Sequence, residues 1–134
     1  MKVYLTWDEF DNLVEELCDI IPQGVYEGIY PIQRGGMIPA VMMSHQLGLP
    51  IIDRLQSYYG KKFLIVDDIA DTGATLQKMK AEVYKEAHIA TIHYHAQSVV
   101  EPHYWVAEKR NKWIVYPWER EDSKEIQDYL KEVV

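Results

Sequence analysis

The sequence predicts an α/β fold: a mainly parallel, twisted sheet with helices on both faces, in a single domain spanning residues 1–134. Three observations predict it. The run Phe63-Leu64-Ile65-Val66 is apolar without alternation, as suits a strand buried on both faces of a parallel sheet. Just beyond it the apolar spacing changes to Leu76, Met79, Val83, which is helical. Short apolar runs alternate with helical stretches along most of the chain, which implies a largely parallel sheet covered on both sides.

Taken in order, residues 1–5 are a short leading strand or a loose arm. Thr6-Trp7-Asp8-Glu9 reads as a capping box, with Thr6 as N-cap and Glu9 reaching back to it. Phe10, Leu13, Val14, Leu17, Ile20 and Ile21 recur at helical spacing until Pro22 and Gly24 stop the helix. Residues 25–32 read as the first central strand, leading through Gln33-Arg34-Gly35-Gly36 into an apolar helix over 37–47. Gly48 and Pro50 end that helix, and 50–52 is a short second strand. A polar connection over 53–62 contains Ser57-Tyr58. After the central strand and its turn, a helix runs to about Ala87 and a strand covers 88–95. Residues 101–106 and 113–116 are two further strands joined by the 109–112 turn, and Ser123 caps a last helix carrying Ile126, Tyr129, Leu130 and Val133.

Composition narrows the function classes. With 134 residues, 48% of them hydrophobic, the chain has material for one core. A net charge of −7, with fourteen scattered Lys and Arg residues, argues against nucleic acid as a partner. One cysteine, Cys18, excludes an intramolecular disulfide and fits a reducing cytoplasm; beside Leu17 and Ile20 it reads as an inert buried thiol. No signal peptide is apparent and no apolar run approaches membrane-spanning length, so a soluble cytoplasmic protein without a membrane partner is expected.

The chemistry concentrates in Asp67-Asp68-Ile69-Ala70-Asp71-Thr72-Gly73-Ala74-Thr75. A strand ends in two adjacent carboxylates, and a helix starts at a Gly/Thr-rich turn. The free amides and positive end of that helix, with the hydroxyls of Thr72 and Thr75, form a site for a phosphate. Asp67 and Asp68 are expected just outside the strand's carboxyl end, where open α/β sheets bind ligands. Carboxylates beside an anion site suit ribose hydroxyls and a magnesium ion, which take hard oxygen partners. Asp-Thr-Gly also marks aspartic proteases, but those are all-β and place no helix directly after the triplet. A plain capped βα turn explains Thr72 and Gly73, yet not the two carboxylates beside them.

These residues resemble the signature of the type I phosphoribosyltransferases, which bind 5-phosphoribosyl 1-pyrophosphate (PRPP) with Mg2+. The resemblance implies that Asp67 and Asp68 hold the ribose diol and the metal. It implies that Asp71, Thr72, Gly73, Ala74 and Thr75 hold the 5′-phosphate, with Asp71 also the catalytic base toward a purine. Arg34-Gly35-Gly36 is similar to the pyrophosphate turn of the purine enzymes, with Gln33 in place of the usual small residue; a non-prolyl cis peptide often precedes the Arg there. Trp113-Ile114-Val115-Tyr116-Pro117-Trp118-Glu119 resembles the W-I-x-x-P-W-[DE] segment of xanthine–guanine phosphoribosyltransferases, forming a small C-terminal base-binding subregion. In that segment the first Trp stacks on the base and the next residue's backbone reads its edge, roles that fall to Trp113 and Ile114. Without the other motifs, Trp113 and Trp118 would read as core aromatics of an edge strand.

Two positions depart from the family pattern. Relatives carry a long mobile loop with a Ser-Tyr pair that closes over PRPP, whereas the ten residues 53–62 form a short connection around Ser57-Tyr58. His95 stands where xanthine–guanine enzymes have a Lys that reads the six-position carbonyl, so His95 is the expected base-reading side chain here. His93 and His95 alternate on a strand and could share a metal, but no third ligand lies near in sequence. The expected activity is transfer of ribose 5-phosphate from Mg-PRPP to a guanine-, xanthine- or hypoxanthine-type base by a homodimer or higher homo-oligomer. The alternative is a non-catalytic PRPP- or nucleotide-binding regulator of the same fold.

Overall fold

The computed structural model describes residues 1–82 and 87–120. Its elements are β1 (Lys2–Tyr4), α1 (Trp7–Ile20), β2 (Ile29–Pro31), α2 (Met37–Leu47), a 3-10 turn (Leu55–Tyr58), β3 (Leu64–Ala70), α3 (Ala74–Glu82), β4 (His88–Tyr94), β5 (Ala107–Glu108) and β6 (Trp113–Val115). The main sheet has the order β2-β3-β4-β5 with every pair parallel. A second, two-stranded parallel sheet joins β1 to β6. The α/β class with a parallel sheet therefore holds. The expected continuation of α3 over 83–86 and the last helix from Ser123 lie outside the described residues.

The uninterrupted apolar run in β3 is explained by its two neighbours. Leu64 and Val66 join Phe10, Val14 and Leu17 of α1, Met43 of α2, and Ala90 and Ile92 of β4 in one core. Ile65 points the other way, packing with Phe63, Ile89 and Leu76 of α3 in a second core. Each such fully buried side chain stabilises the fold by about 1.5–3 kcal/mol. Helices thus cover both faces, and the parallel strands β2, β3 and β4 all end at the same edge of the sheet.

Local signals set several boundaries. Thr6 Oγ1 accepts from the Glu9 amide at 3.1 Å and Glu9 Oε1 accepts from the Thr6 amide at 2.9 Å, the expected capping box. α2 ends at Gly48, whose φ of 69° turns the chain so that the Leu49 N–H also reaches the Ser44 carbonyl, at 3.2 Å. Cys18 is buried, and burial followed by the charge of Asp19 pushes its thiol up to about 11, in keeping with an inert group. Among the described residues no helix is long and apolar enough to cross a membrane.

Four expectations are corrected. Only Ile29–Pro31 of the 25–32 stretch is a strand, although single bonds to β3 flank it, Leu64 N–H to Gly28 O at 3.0 Å and Ile32 N–H to Val66 O at 2.8 Å, and Gly28 is also closely covered by side chains. A Cβ at Gly28 would lie 2.8 Å from Tyr58 Cε2. Residues 50–52 give a single bridge, Ile51 to Ile29, framed by Ile29 N–H to Pro50 O at 2.9 Å and Ile52 N–H to Ile29 O at 2.8 Å. Of the two strands expected at 101–106 and 113–116, the second is present as β6 but the first is not a strand. Tyr104 makes one bridge to Ala90, β5 follows and pairs with the end of β4, and β6 crosses to the open edge of β1. Finally, β3 runs on to Ala70, so Asp67 and Asp68 stand inside the strand, with Asp67 paired to Thr91.

Candidate active site

The last turns of β3 bring two carboxylates out of water. Asp67 is fully buried and Asp68 is buried, and the Asp68 amide donates to Asp67 Oδ1 at 2.8 Å. Asp68 Oδ1 is buried with no hydrogen-bond partner. A carboxylate oxygen in that condition is costly unless a cation or hydroxyl meets it. The turn between β2 and α2 closes directly on this strand. A Cβ on Gly35 would stand 2.6 Å from Asp68 Cγ, and one on Gly36 would stand 2.8 Å from Ile32 O and collide with Val66 O. Both glycines are thus required by close approach. The Gln33–Arg34 peptide is cis, and Arg34 is exposed at the rim of the turn.

Past Ala70 the chain turns through Asp71-Thr72-Gly73 into α3. Gly73 has a φ of 78°, and its carbonyl accepts the Gln77 amide at 2.9 Å as the first bond of the helix. Thr72 Oγ1 accepts from the Ala74 amide at 3.3 Å. Thr75 Oγ1 is buried and has no partner. That hydroxyl lies in the first turn of a helix, where amides and the positive end of the dipole favour an anion. The 97–100 segment walls the turn, with the Val99 amide donating to Thr72 O at 2.8 Å.

Asp71 is the hub of a side-chain cluster assembled from three elements. His95 Nδ1 lies 2.8 Å from Asp71 Oδ1, Gln97 Nε2 lies 3.4 Å from the same oxygen, and Lys109 Nζ lies 3.0 Å from Oδ2. The His95 amide donates to Ala70 O at 2.9 Å, which sets the residue beside the Asp71-Thr72-Gly73 turn. The Lys109 amide donates to Tyr94 O at 2.9 Å, extending the β4–β5 pairing until Lys109 reaches the same place. Lys109 is buried, and a buried ammonium needs such a partner. Sequence reasoning missed Lys109 and Gln97; neither sits in a motif, and Lys109 acts across 38 positions.

The C-terminal segment is tied to the acidic strand through Tyr116. Its hydroxyl donates to Asp68 O at 3.2 Å and accepts from His93 Nδ1 at 2.8 Å. Burial, and then the charges of Asp68, Asp67, Glu119 and Asp71, push the Tyr116 phenol well above its usual range, so it stays a donor. Burial pulls the His93 imidazole down to about 4, so it is neutral and carries its proton on Nδ1. His93 and His95 are therefore drawn to different partners, and among the described residues no cluster suited to a bound metal of three or more such ligands occurs.

On β6, Trp113 is half-buried with Lys2 Nζ 5.0 Å above its ring, so a base could stack only on the opposite face. The Trp113 amide donates to Met1 O at 2.9 Å and Val115 O accepts the Leu5 amide at 3.0 Å. By the alternation of parallel pairing, the Ile114 N–H and C=O face away from β1. Trp118 stacks on Tyr116 at 5.0 Å and meets Phe10 edge-on at 4.9 Å, so it is a core aromatic. Ser57 and Tyr58 are not brought to this site. Tyr58 Oη donates to Glu27 O at 3.2 Å, which pins the pair near the start of β2, at the opposite end of the sheet.

Residues 30–123 match the phosphoribosyl transferase domain family. The chain is 28% identical over 142 residues to a xanthine-guanine phosphoribosyltransferase of Nitratidesulfovibrio vulgaris, covering 90% of this chain and 86% of that protein. It is 28% identical over 134 residues to the enzyme of the same name from Chromohalobacter salexigens, covering 86% and 82%. The crystal structure of a purine phosphoribosyltransferase from Pyrococcus horikoshii superposes with a TM-score of 0.79 at 33% identity, covering 94% of this chain and 99% of that one.

Proposed function

The chain belongs to the phosphoribosyltransferase domain family, and from that membership we propose that it transfers ribose 5-phosphate from Mg-PRPP to a six-oxo purine (guanine, xanthine or hypoxanthine), releasing pyrophosphate. The observation that carries the reading is a pair of buried oxygens without partners, Asp68 Oδ1 and Thr75 Oγ1, on the two sides of one strand-to-helix turn. One suits a diol or hard cation, the other a phosphate.

Each residue then has a task. Thr72, Gly73, Ala74 and Thr75 hold the 5′-phosphate at the start of α3. Arg34 and the amide of Gly35 hold the pyrophosphate, and the absence of a Cβ at Gly35 lets that turn close on Asp68. Asp67 and Asp68 hold the ribose hydroxyls and would hold magnesium, which supplies positive charge against the pyrophosphate; the partnerless Asp68 Oδ1 fits such an ion. Trp113 stacks the base while the outward N–H and C=O of Ile114 read its edge. The purine nitrogen attacks C1 of the ribose as pyrophosphate departs, through an oxocarbenium-like state that positioned charges stabilise. The proton lost by the purine ring goes to the cluster formed by Asp71 and its bonded neighbours.

We place this activity in one domain acting in the cytoplasm, as a homodimer or higher homo-oligomer. The exposed Met37 and Val41 of α2 support self-association. One observation favours a second reading, a binder of PRPP or a nucleotide without turnover: Tyr58 is packed at the far end of β2 rather than over the site. Pyrophosphate release separates the two. Purified protein with Mg-PRPP and guanine, xanthine, hypoxanthine or adenine should release it with the six-oxo bases; binding without release for every base would leave the second reading.

A further inference from the structure

We propose that His95, oriented by Asp71, is the group that takes the proton from the purine imidazole ring, and that Asp71 and Lys109 are positioning residues for it. The inference rests on the transferase reading above and refines where the proton goes.

Both oxygens of Asp71 are already engaged, Oδ1 by His95 and Gln97 and Oδ2 by Lys109. A carboxylate so occupied has little capacity to receive a further proton directly. The His95 bond fixes a tautomer instead. Asp71 accepts, so Nδ1 carries the hydrogen and Nε2 presents its lone pair. Among the described residues nothing bonds Nε2. A base whose far nitrogen is held by a carboxylate, leaving the near nitrogen toward substrate, is the arrangement general-base catalysis requires. The imidazole is also half-buried, dry enough to be held in place and open enough to meet a ligand.

Position supports the role. His95 follows β4 directly and is bonded through its amide to Ala70, at the head of the phosphate turn. Its ring therefore lies at the same sheet end as the candidate ribose and phosphate contacts. The charged and titratable groups gathered around it are Asp71 from that turn and Lys109 from beyond β5, with Gln97 a neutral neighbour. Lys109 holds Oδ2, which fixes the carboxylate plane so that Oδ1 is aimed at the imidazole. In the step itself the purine N9 forms a bond to C1 and the bond from C1 to the pyrophosphate oxygen breaks, its electron pair leaving with pyrophosphate. The N7 proton passes to His95 Nε2, and the imidazolium formed beside Asp71 releases that proton to solvent after the nucleotide departs.

The test compares wild type, His95→Gln and Asp71→Asn in kcat, in KM for Mg-PRPP, and in the pH profile of kcat/KM with guanine. His95→Gln should lower kcat by about 100- to 10,000-fold with KM for Mg-PRPP within about threefold, and should abolish the acid limb of the profile. Asp71→Asn, whose amide can donate to the ring and favour the other tautomer, should also lose kcat. His95→Ala supplied with imidazole should regain turnover, and this carries the test if the Gln variant melts too low to assay. A His95→Gln enzyme with wild-type kcat, or one that keeps the acid limb while Asp71→Asn loses activity, overturns the proposal and leaves Asp71 as the base. Wild type that makes no nucleotide from any purine overturns the transferase reading together with this one.

Discussion

The Tyr116 hydroxyl donates to the main-chain carbonyl of Asp68 at 3.2 Å, joining the C-terminal aromatic segment to the strand that carries the acidic pair. The same oxygen receives the His93 Nδ1 proton at 2.8 Å, so one buried hydroxyl serves a donor and an acceptor from two neighbouring strands. Tyr116→Phe keeps the aromatic packing against Phe10 and Trp118 but leaves a buried imidazole N–H and a buried carbonyl unmet. The expected loss is about 1–3 kcal/mol, read by urea unfolding. An unchanged midpoint would mean that the hydroxyl bridges nothing.

His93 makes stability depend on pH. Burial holds its imidazole at about 4 in the folded chain, against about 6.5 when unfolded. Between those values the unfolded chain binds the additional proton, so stability rises with pH there. The contribution is complete above about pH 6.5 and is lost as pH falls toward 4, amounting to about 3 kcal/mol at most. Urea unfolding between those limits should be steeper with pH in wild type than in His93→Gln. Equal slopes would contradict a buried neutral His93.

Gly35 and Gly36 should separate function from folding. A methyl at Gly35 meets the movable Asp68 carboxylate, whereas one at Gly36 meets the fixed carbonyls of Ile32 and Val66. Gly35→Ala should fold nearly normally and bind Mg-PRPP about tenfold or more weakly, since about 1.4 kcal/mol is enough for that factor. Gly36→Ala should lose about 1–3 kcal/mol of stability by overpacking. Calorimetry and thermal melting of the two variants distinguish these outcomes, and the reverse assignment would refute the described turn.

The acidic pair should be expendable for folding. Asp67→Asn combined with Asp68→Asn removes two buried like charges, so melting should stay equal or rise. Mg-PRPP affinity should fall by about 100-fold or more, the scale of a lost buried charge contact. Unchanged affinity by calorimetry would remove both residues from the site.

How much was readable in advance follows from where each signal resides. The strand, turn and helix start of the Asp67 to Thr75 motif and the close-approach glycines of the β2–α2 turn were legible because their structure is local, lying within a few residues. α2 was legible to its ends because Gly48 caps it. Lys109 was not, since nothing in local periodicity tells that β5 will end beside Asp71. Tyr116 was quoted within its motif without a role, because His93 reaches it across 23 positions. Residues 101–106 and 113–116 read as two strands joined by the 109–112 turn from local pattern alone. Their partners are β4 and β1, which only the sheet topology decides. Ser57-Tyr58 was recognisable as a pair, but its placement depends on Gly28 offering a bare backbone for the Tyr58 ring to cover.

The most direct measurement is nucleotide formation itself. Purified protein, magnesium, PRPP and guanine or hypoxanthine should yield the corresponding nucleoside 5′-monophosphate, identified by mass, with one pyrophosphate released per nucleotide. The Asp67→Asn, Asp68→Asn double variant should yield none at the same concentrations. Tight Mg-PRPP binding by wild type with no nucleotide from any purine would contradict the transferase assignment and leave a binding protein of the same fold.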